Sequence, residues 1–141
     1  MTLAALWYPT DKCFIDGRWQ PPANGKTLPL ENPSTGQVIG QIARGSKDDI
    51  DAAVAAATAA RTGDWGHLPA FERGRLLGHM GRLVLSHVDQ LAEIEATDVG
   101  KPLKQARADV LALARYLEFY GGAADKIMGE TIPYLNGYTV Y

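Results

Sequence analysis

Between residues 47 and 129 the apolar positions recur at steps of three and four. Before residue 44 and after residue 130 they form short runs broken by glycine, proline and asparagine. This change of period predicts short strands at both ends of the chain and helices between them. The first strand pair is Cys13 to Ile15 and Arg18 to Trp19, joined by Asp16-Gly17, a pair that tolerates the positive φ angles of a type I′ turn. Residues 20–26, QPPANGK, hold two prolines and an Asn-Gly and read as a loop. A second pair follows, Thr27 to Glu31 and Gln37 to Ala43, turning through NPSTG, Asn32 to Gly36. Pro29 removes one ladder donor, so its strand belongs at an edge or beside a bulge.

Ser46 with Asp49 three residues later resembles a capping box, and Ile50, Ala53, Val54, Ala57 and Ala60 carry the helix on to Gly63. Its alanine-rich face allows close approach to a sheet or another helix and is expected to cover a sheet. Thr62 to Pro69 reads as a turn that lays Trp65 on the core. A second helix opens after Pro69 with Leu76, Leu77, Met80, Leu83, Val84 and Val88 on its apolar face. A third carries Leu91, Ile94 and Val99 and stops at Gly100, with Lys101 and Pro102 beyond. The fourth runs from Ala106 to Met128 and ends at Gly129. Gly121 and Gly122 inside it predict either close packing on a neighbour or a slight bend. Thr131 to Leu135 and Tyr138 to Tyr141 flank Asn136-Gly137, a hairpin signal, and the sequence stops inside the second of these strands, as expected of a truncated chain.

Composition narrows the function classes. The 141 residues are 46% hydrophobic and 21% charged, near the average of globular proteins. Fourteen Lys and Arg against 16 Asp and Glu give a formal charge of -2, so no broad positive field is available for nucleic acid or an acidic membrane surface. Leu3 to Tyr8 is too short to span a bilayer and follows no basic residue, which makes the cytoplasm the expected location. Cys13, the only cysteine, is expected to pack in its strand, because nothing beside it in sequence would lower a thiol pKa.

The residues supply no complete active site. His79 and His87 lie eight apart, too far to share one metal ion, and His67 stands alone. The sequence has no glycine-rich dinucleotide fingerprint, no phosphate loop and no metalloprotease or paired-cysteine motif. Asp48, Asp49 and Asp51 fall at a helix N-terminus, where negative charge is favoured. Asp98 lies in the last turn of a helix, where it is not, and leaves two readings open: a salt bridge to Lys101, or coordination of a cation.

Six segments in order, FIDGRW (Phe14 to Trp19), NPSTGQVIGQI (Asn32 to Ile42), KDDIDAAVAAA (Lys47 to Ala57), ERGRLL (Glu72 to Leu77), EATDVGKP (Glu95 to Pro102) and ADKIMGETIP (Ala124 to Pro133), resemble the N-terminal region of the NAD(P)-dependent aldehyde dehydrogenase superfamily. The resemblance covers residues 13–141. It implies an α/β fold of which this chain is the N-terminal part, β-hairpins plus helices that pack on a Rossmann-like cofactor domain. Residues 1–12 would be an irregular arm, 13–136 the start of the cofactor-binding domain, and 137–141 the opening strand of an oligomerisation arm.

The resemblance also implies oxidation of a small aldehyde to an acid by a cysteine nucleophile and NAD or NADP, in a homodimer or homotetramer. The family's catalytic cysteine, glutamate and asparagine and its cofactor contacts would all lie beyond residue 141, so no catalytic or cofactor-binding residue is expected here. One family site maps onto this chain: a monovalent cation, K or Na, held by the carbonyls of Leu30 and Glu31 and the carboxylate of Asp98. The alternative is a stand-alone, non-catalytic interaction module that keeps only this layer of the fold.

Overall fold

Two antiparallel ribbons precede a run of helices in the computed structural model, which describes residues 7–141. The elements are β1 (Cys13–Ile15), β2 (Arg18–Gln20), β3 (Thr27–Asn32), β4 (Gln37–Ala43), α1 (Lys47–Thr62), α2 (Asp64–His67), α3 (Ala70–Ser86), α4 (Val88–Val99) and α5 (Leu103–Ala123). β1 pairs with β2 and β3 with β4, as separate two-stranded sheets. In the first turn Asp16 and Gly17 have φ of 52° and 72°, both positive as a type I′ turn requires. In the second ribbon Pro29 faces Gln41, β3 is an edge strand, and the register shifts between Leu30 and Glu31, in accord with the edge or bulge position that Pro29 demands. Asn32 closes the NPSTG turn: its side-chain oxygen accepts the Ser34 N–H at 2.9 Å and its carbonyl accepts the Gly36 N–H at 2.8 Å.

Of the N-terminal arm, residues 1–6 lie outside the described residues. The rest runs along β4, with the Thr10 hydroxyl donating to the Gln41 carbonyl at 2.6 Å and the Ala43 N–H donating to the Thr10 carbonyl at 2.9 Å. Tyr8 stacks on Trp19.

The buried core is small and helical. Val88 and Ala92 of α4 meet Ala106 and Val110 of α5, with Val84, Leu91, Ala96 and Leu111 packed around them. Small residues at the contact let the two helices approach closely. α3 crosses α5 more extensively, through glycine. A Cβ on Gly121 would stand 2.7 Å from the Gly74 carbonyl oxygen, whereas one on Gly122 would meet nothing within 4 Å. Of the two meanings open for the glycine pair, Gly121 therefore has the first, close packing on a neighbour.

Four expectations need correction. α5 ends at Ala123, not Gly129: the Lys126 N–H turns back to the Ala123 carbonyl, and Ile127 and Met128, at 92% and 82% exposure, have no surface here on which to continue an apolar stripe. Trp65 does not lie on the core. It sits in α2, a single turn that packs against α1, and remains 45% exposed. α1 touches β1, but Ile50 and Val54 on it are exposed, so its apolar face is largely uncovered. The C-terminal hairpin is reduced to one bridge, Ile132 to Val140, because only Gly137 of the Asn-Gly pair takes a positive φ, and the resulting turn, closed by the Tyr138 N–H to the Leu135 carbonyl, does not match strand twist.

Candidate functional site

The end of α4, which carries Asp98, packs on the turn that follows β3. α4 stops at Val99 because Gly100 adopts the left-handed conformation, φ 73° and ψ 18°, with its N–H bonded to the Ala96 carbonyl at 3.0 Å. Gly100 lies flat on the NPSTG turn: a Cβ there would come within 2.8 Å of Pro33 Cγ and 3.4 Å of Ser34 Oγ. α4 also touches β3, the strand that carries Leu30 and Glu31. Asp98 and Glu31 are exposed and Leu30 is half-buried. The ladder is irregular between Leu30 and Glu31, which interrupts the regular exchange of backbone hydrogen bonds beside those carbonyls.

Lys101 is not paired with Asp98. Its ammonium group lies 2.5 Å from the Glu95 carboxylate on α4 and 2.9 Å from Asp109 on α5. The left-handed turn at Gly100 swings the chain across to α5, and helical spacing cannot signal a pairing made across such a corner. Glu95 holds the Lys101 pKa above that of an ordinary lysine, with Asp109 adding to the effect. Lys101 in turn lowers the Asp109 carboxyl, assisted by the Gln105 amide at 3.1 Å. Two residues from Asp109 on α5, Arg107 reaches Asp89 in the first turn of α4 at 3.0 Å. One turn of α5 is thus tied to both ends of α4, and Asp98 makes no salt bridge among the described residues.

A second polar cluster holds the loop before β3 against α1. Asp49 is buried, and its carboxylate accepts the Ser46 N–H at 2.7 Å, the Ser46 hydroxyl at 2.8 Å and the Ala23 N–H at 2.9 Å. The Ser46 backbone bond is the main reason its carboxyl is held below the ordinary aspartate range. The Ser46–Asp49 link was legible as a cap; the bond from Ala23 was not, because it spans 26 residues.

Among the described residues no catalytic constellation appears. Cys13 is half-buried and pairs with Gln20 in the first ribbon. The His67 and His87 ring nitrogens face local carbonyls, those of Gly63 and Leu83. Among the described residues no three His, Cys, Asp or Glu side chains converge as metal ligands, and no helix is long and apolar enough to cross a membrane.

Comparison with known proteins accords with the six-segment resemblance. The model of the aldehyde dehydrogenase family matches residues 19–141. The mitochondrial benzaldehyde dehydrogenase of Antirrhinum majus is 42% identical over 125 residues, which are 87% of this chain and 23% of that protein. Human mitochondrial aldehyde dehydrogenase is 41% identical over 126 residues, 87% of this chain and 24% of that protein. Among solved structures, an aldehyde dehydrogenase homologue from Burkholderia cenocepacia superposes with a TM-score of 0.87 at 56% identity, covering 91% of this chain and 27% of that one. A betaine aldehyde dehydrogenase from Staphylococcus aureus in complex with NAD+ gives 0.81 at 32% identity, covering 86% and 25%. The chain spans about a quarter of the length of the relatives it matches.

Proposed function

This chain belongs to the aldehyde dehydrogenase family, and from that premise we propose that it is the N-terminal portion of an oxidoreductase that converts a small aldehyde to its carboxylic acid with NAD or NADP. The observation that carries the reading is the match over residues 19–141 together with coverage of only a quarter of each relative. Support comes from the surface as well. Phe119, Ile127, Met128 and Tyr141 are 68%, 92%, 82% and 97% exposed, apolar side chains that further polypeptide would cover in this reading. In this reading, the nucleophile, the activating base and the cofactor contacts come from polypeptide outside these residues, and the layer described above supports the cofactor domain. Residues 137–141 would open an arm that joins subunits of a cytoplasmic dimer or tetramer.

Within the same reading, the Leu30 and Glu31 carbonyls and the Asp98 carboxylate hold a monovalent cation, K or Na, with further oxygen donors from outside the chain. The donor set fits: it is all oxygen, the choice of hard cations, and Asp98 is left without a cationic partner at a helix C-terminus that disfavours its charge. Bound there, the ion supplies positive charge that joins α4 to the β3 segment.

The test is expression of the complete reading frame beside the 141-residue chain. The complete product should reduce NAD or NADP in the presence of aldehydes, and the 141 residues alone should not. Turnover by the short chain would overturn the reading. An immediate stop codon after Tyr141, with a soluble chain that captures a defined partner, would favour the interaction module.

A further inference from the structure

We infer that Lys101 is a positioning residue for the cation site proposed at Asp98, acting through its two carboxylate partners rather than by touching the ion; the inference rests on that cation reading. Asp98 lies between Glu95 and Lys101 in sequence, and the Glu95–Lys101 bond closes the seven-residue span 95–101 around it. The second bond, to Asp109, ties that span to α5, whose buried face against α4 is the core of the helical layer. Lys101 is well covered, with 28% of its side chain exposed, so these bonds are less screened than those of the other described ion pairs.

On its other side the span is pinned by Gly100 against Pro33 and Ser34. The corner is therefore held from two directions, by contact toward β3 and by charge toward α5. An oxygen site assembled from two separate segments binds an ion only as well as the segments are held in register. Lys101 also neutralises part of the negative charge that Glu95, Asp98 and Asp109 place around the corner, which leaves Asp98 to the ion.

The test uses the complete gene product and reads potassium binding from the rise in melting temperature with KCl, at ionic strength held constant with choline chloride. Binding of thallium(I), a potassium surrogate, by 205Tl NMR is the second readout. Lys101→Met is expected to raise the half-saturating potassium concentration about 10-fold or more, the scale on which outer partners act at metal sites. Lys101→Arg should restore most of the affinity. Glu95→Gln and Asp109→Asn, each removing one arm, should fall between, and they carry the test if Lys101→Met does not fold. Asp49→Asn, which loosens the remote Ala23 bond, should lower the melting temperature without moving the potassium midpoint.

Three results overturn the inference. If the wild type binds potassium and Lys101→Met, or both single-arm variants, bind it equally well, the positioning role is wrong and the cation reading stands. If Asp49→Asn shifts the midpoint as far as Lys101→Met, the effect is general stability. If the wild type shows no potassium-specific shift and no thallium signal, the cation reading fails and the inference fails with it.

Discussion

Gly74 and Gly121 cross backbone to backbone. A Cβ added to Gly74 would lie 2.3 Å from the Gly121 carbonyl oxygen, and one added to Gly121 would lie 2.7 Å from that of Gly74. Neither distance is attainable for a real side chain, so the α3–α5 crossing exists only because both positions lack one. Gly81 and Ala114 continue the close approach further along the two helices, with 3.1 Å between a Cβ on Gly81 and the Ala114 carbonyl oxygen.

Gly74→Ala and Gly121→Ala should each destabilise the protein by about 1–3 kcal/mol, since backbone rather than a pliable side chain must give way. Gly122→Ala makes no contact within 4 Å and should be neutral or stabilising by up to about 1 kcal/mol through helix propensity alone. Urea unfolding of the three variants checks the contrast. Equal effects at Gly121 and Gly122 would mean that the crossing is looser than described.

The Asp49 carboxylate should make stability pH-dependent on the acid side. Its folded pKa is lowered, chiefly by the Ser46 N–H, so its contribution is fully present above the unfolded aspartate value of about 3.9 and is lost as pH falls through the folded value. Melting temperatures of wild type and Asp49→Ala should differ by a constant amount above about pH 5 and converge at lower pH. A difference that persists undiminished at pH 2 would show that the carboxylate's charge is not what holds Ala23.

These clusters show where reading the sequence succeeds. Asp16-Gly17, the Pro29 bulge, the Ser46–Asp49 cap and the Gly100 stop each follow from a few adjacent residues, and each is present in the structure. What the sequence left hidden is pairing over distance: Ala23 to Asp49, Lys101 to Glu95 and Asp109, Gly74 to Gly121. Trp65 and the Ile127–Met128 stretch failed for another reason. Their apolar character signals burial, but among the described residues they are only partly covered or bare, and pattern alone could not say whether a covering surface belongs to this chain. For the candidate site, Asp98 was conspicuous because its charge sits at the wrong end of a helix, whereas Leu30 and Glu31 came only from family resemblance, since backbone carbonyls leave no mark in side-chain chemistry.

Val110 and Tyr116 separate stability within this layer from stability owed to a surrounding protein. Val110 is 5% exposed in the α4–α5 core, so Val110→Ala should cost about 1.5–3 kcal/mol in any context. Tyr116 is 63% exposed, and Tyr116→Ala should change the stability of the 141-residue chain by no more than about 0.5 kcal/mol. In the complete product of the proposed oxidoreductase gene, where α5 would be covered, the same substitution should cost several times more. Denaturant titrations of both lengths measure this, and an unchanged small effect in the longer protein would argue against a covering domain on that face.

Gly17 and Gly100 share nearly the same backbone, φ of 72° and 73°, but not the same surroundings. A side chain at Gly17 would meet nothing within 4 Å, whereas at Gly100 it would run into Pro33 at 2.8 Å. Alanine at either position therefore incurs the left-handed penalty of about 1–2 kcal/mol, and only at Gly100 does it also push α4 away from the NPSTG turn. Gly100→Ala should thus exceed Gly17→Ala in unfolding free energy lost. If Asp98 binds potassium with the carbonyls of Leu30 and Glu31, Gly100→Ala should also weaken the potassium-dependent rise in melting temperature, which Gly17→Ala leaves intact. Equal losses for the two variants would mean that Pro33 yields easily, and that the α4 corner is not seated on the turn as tightly as the 2.8 Å approach requires.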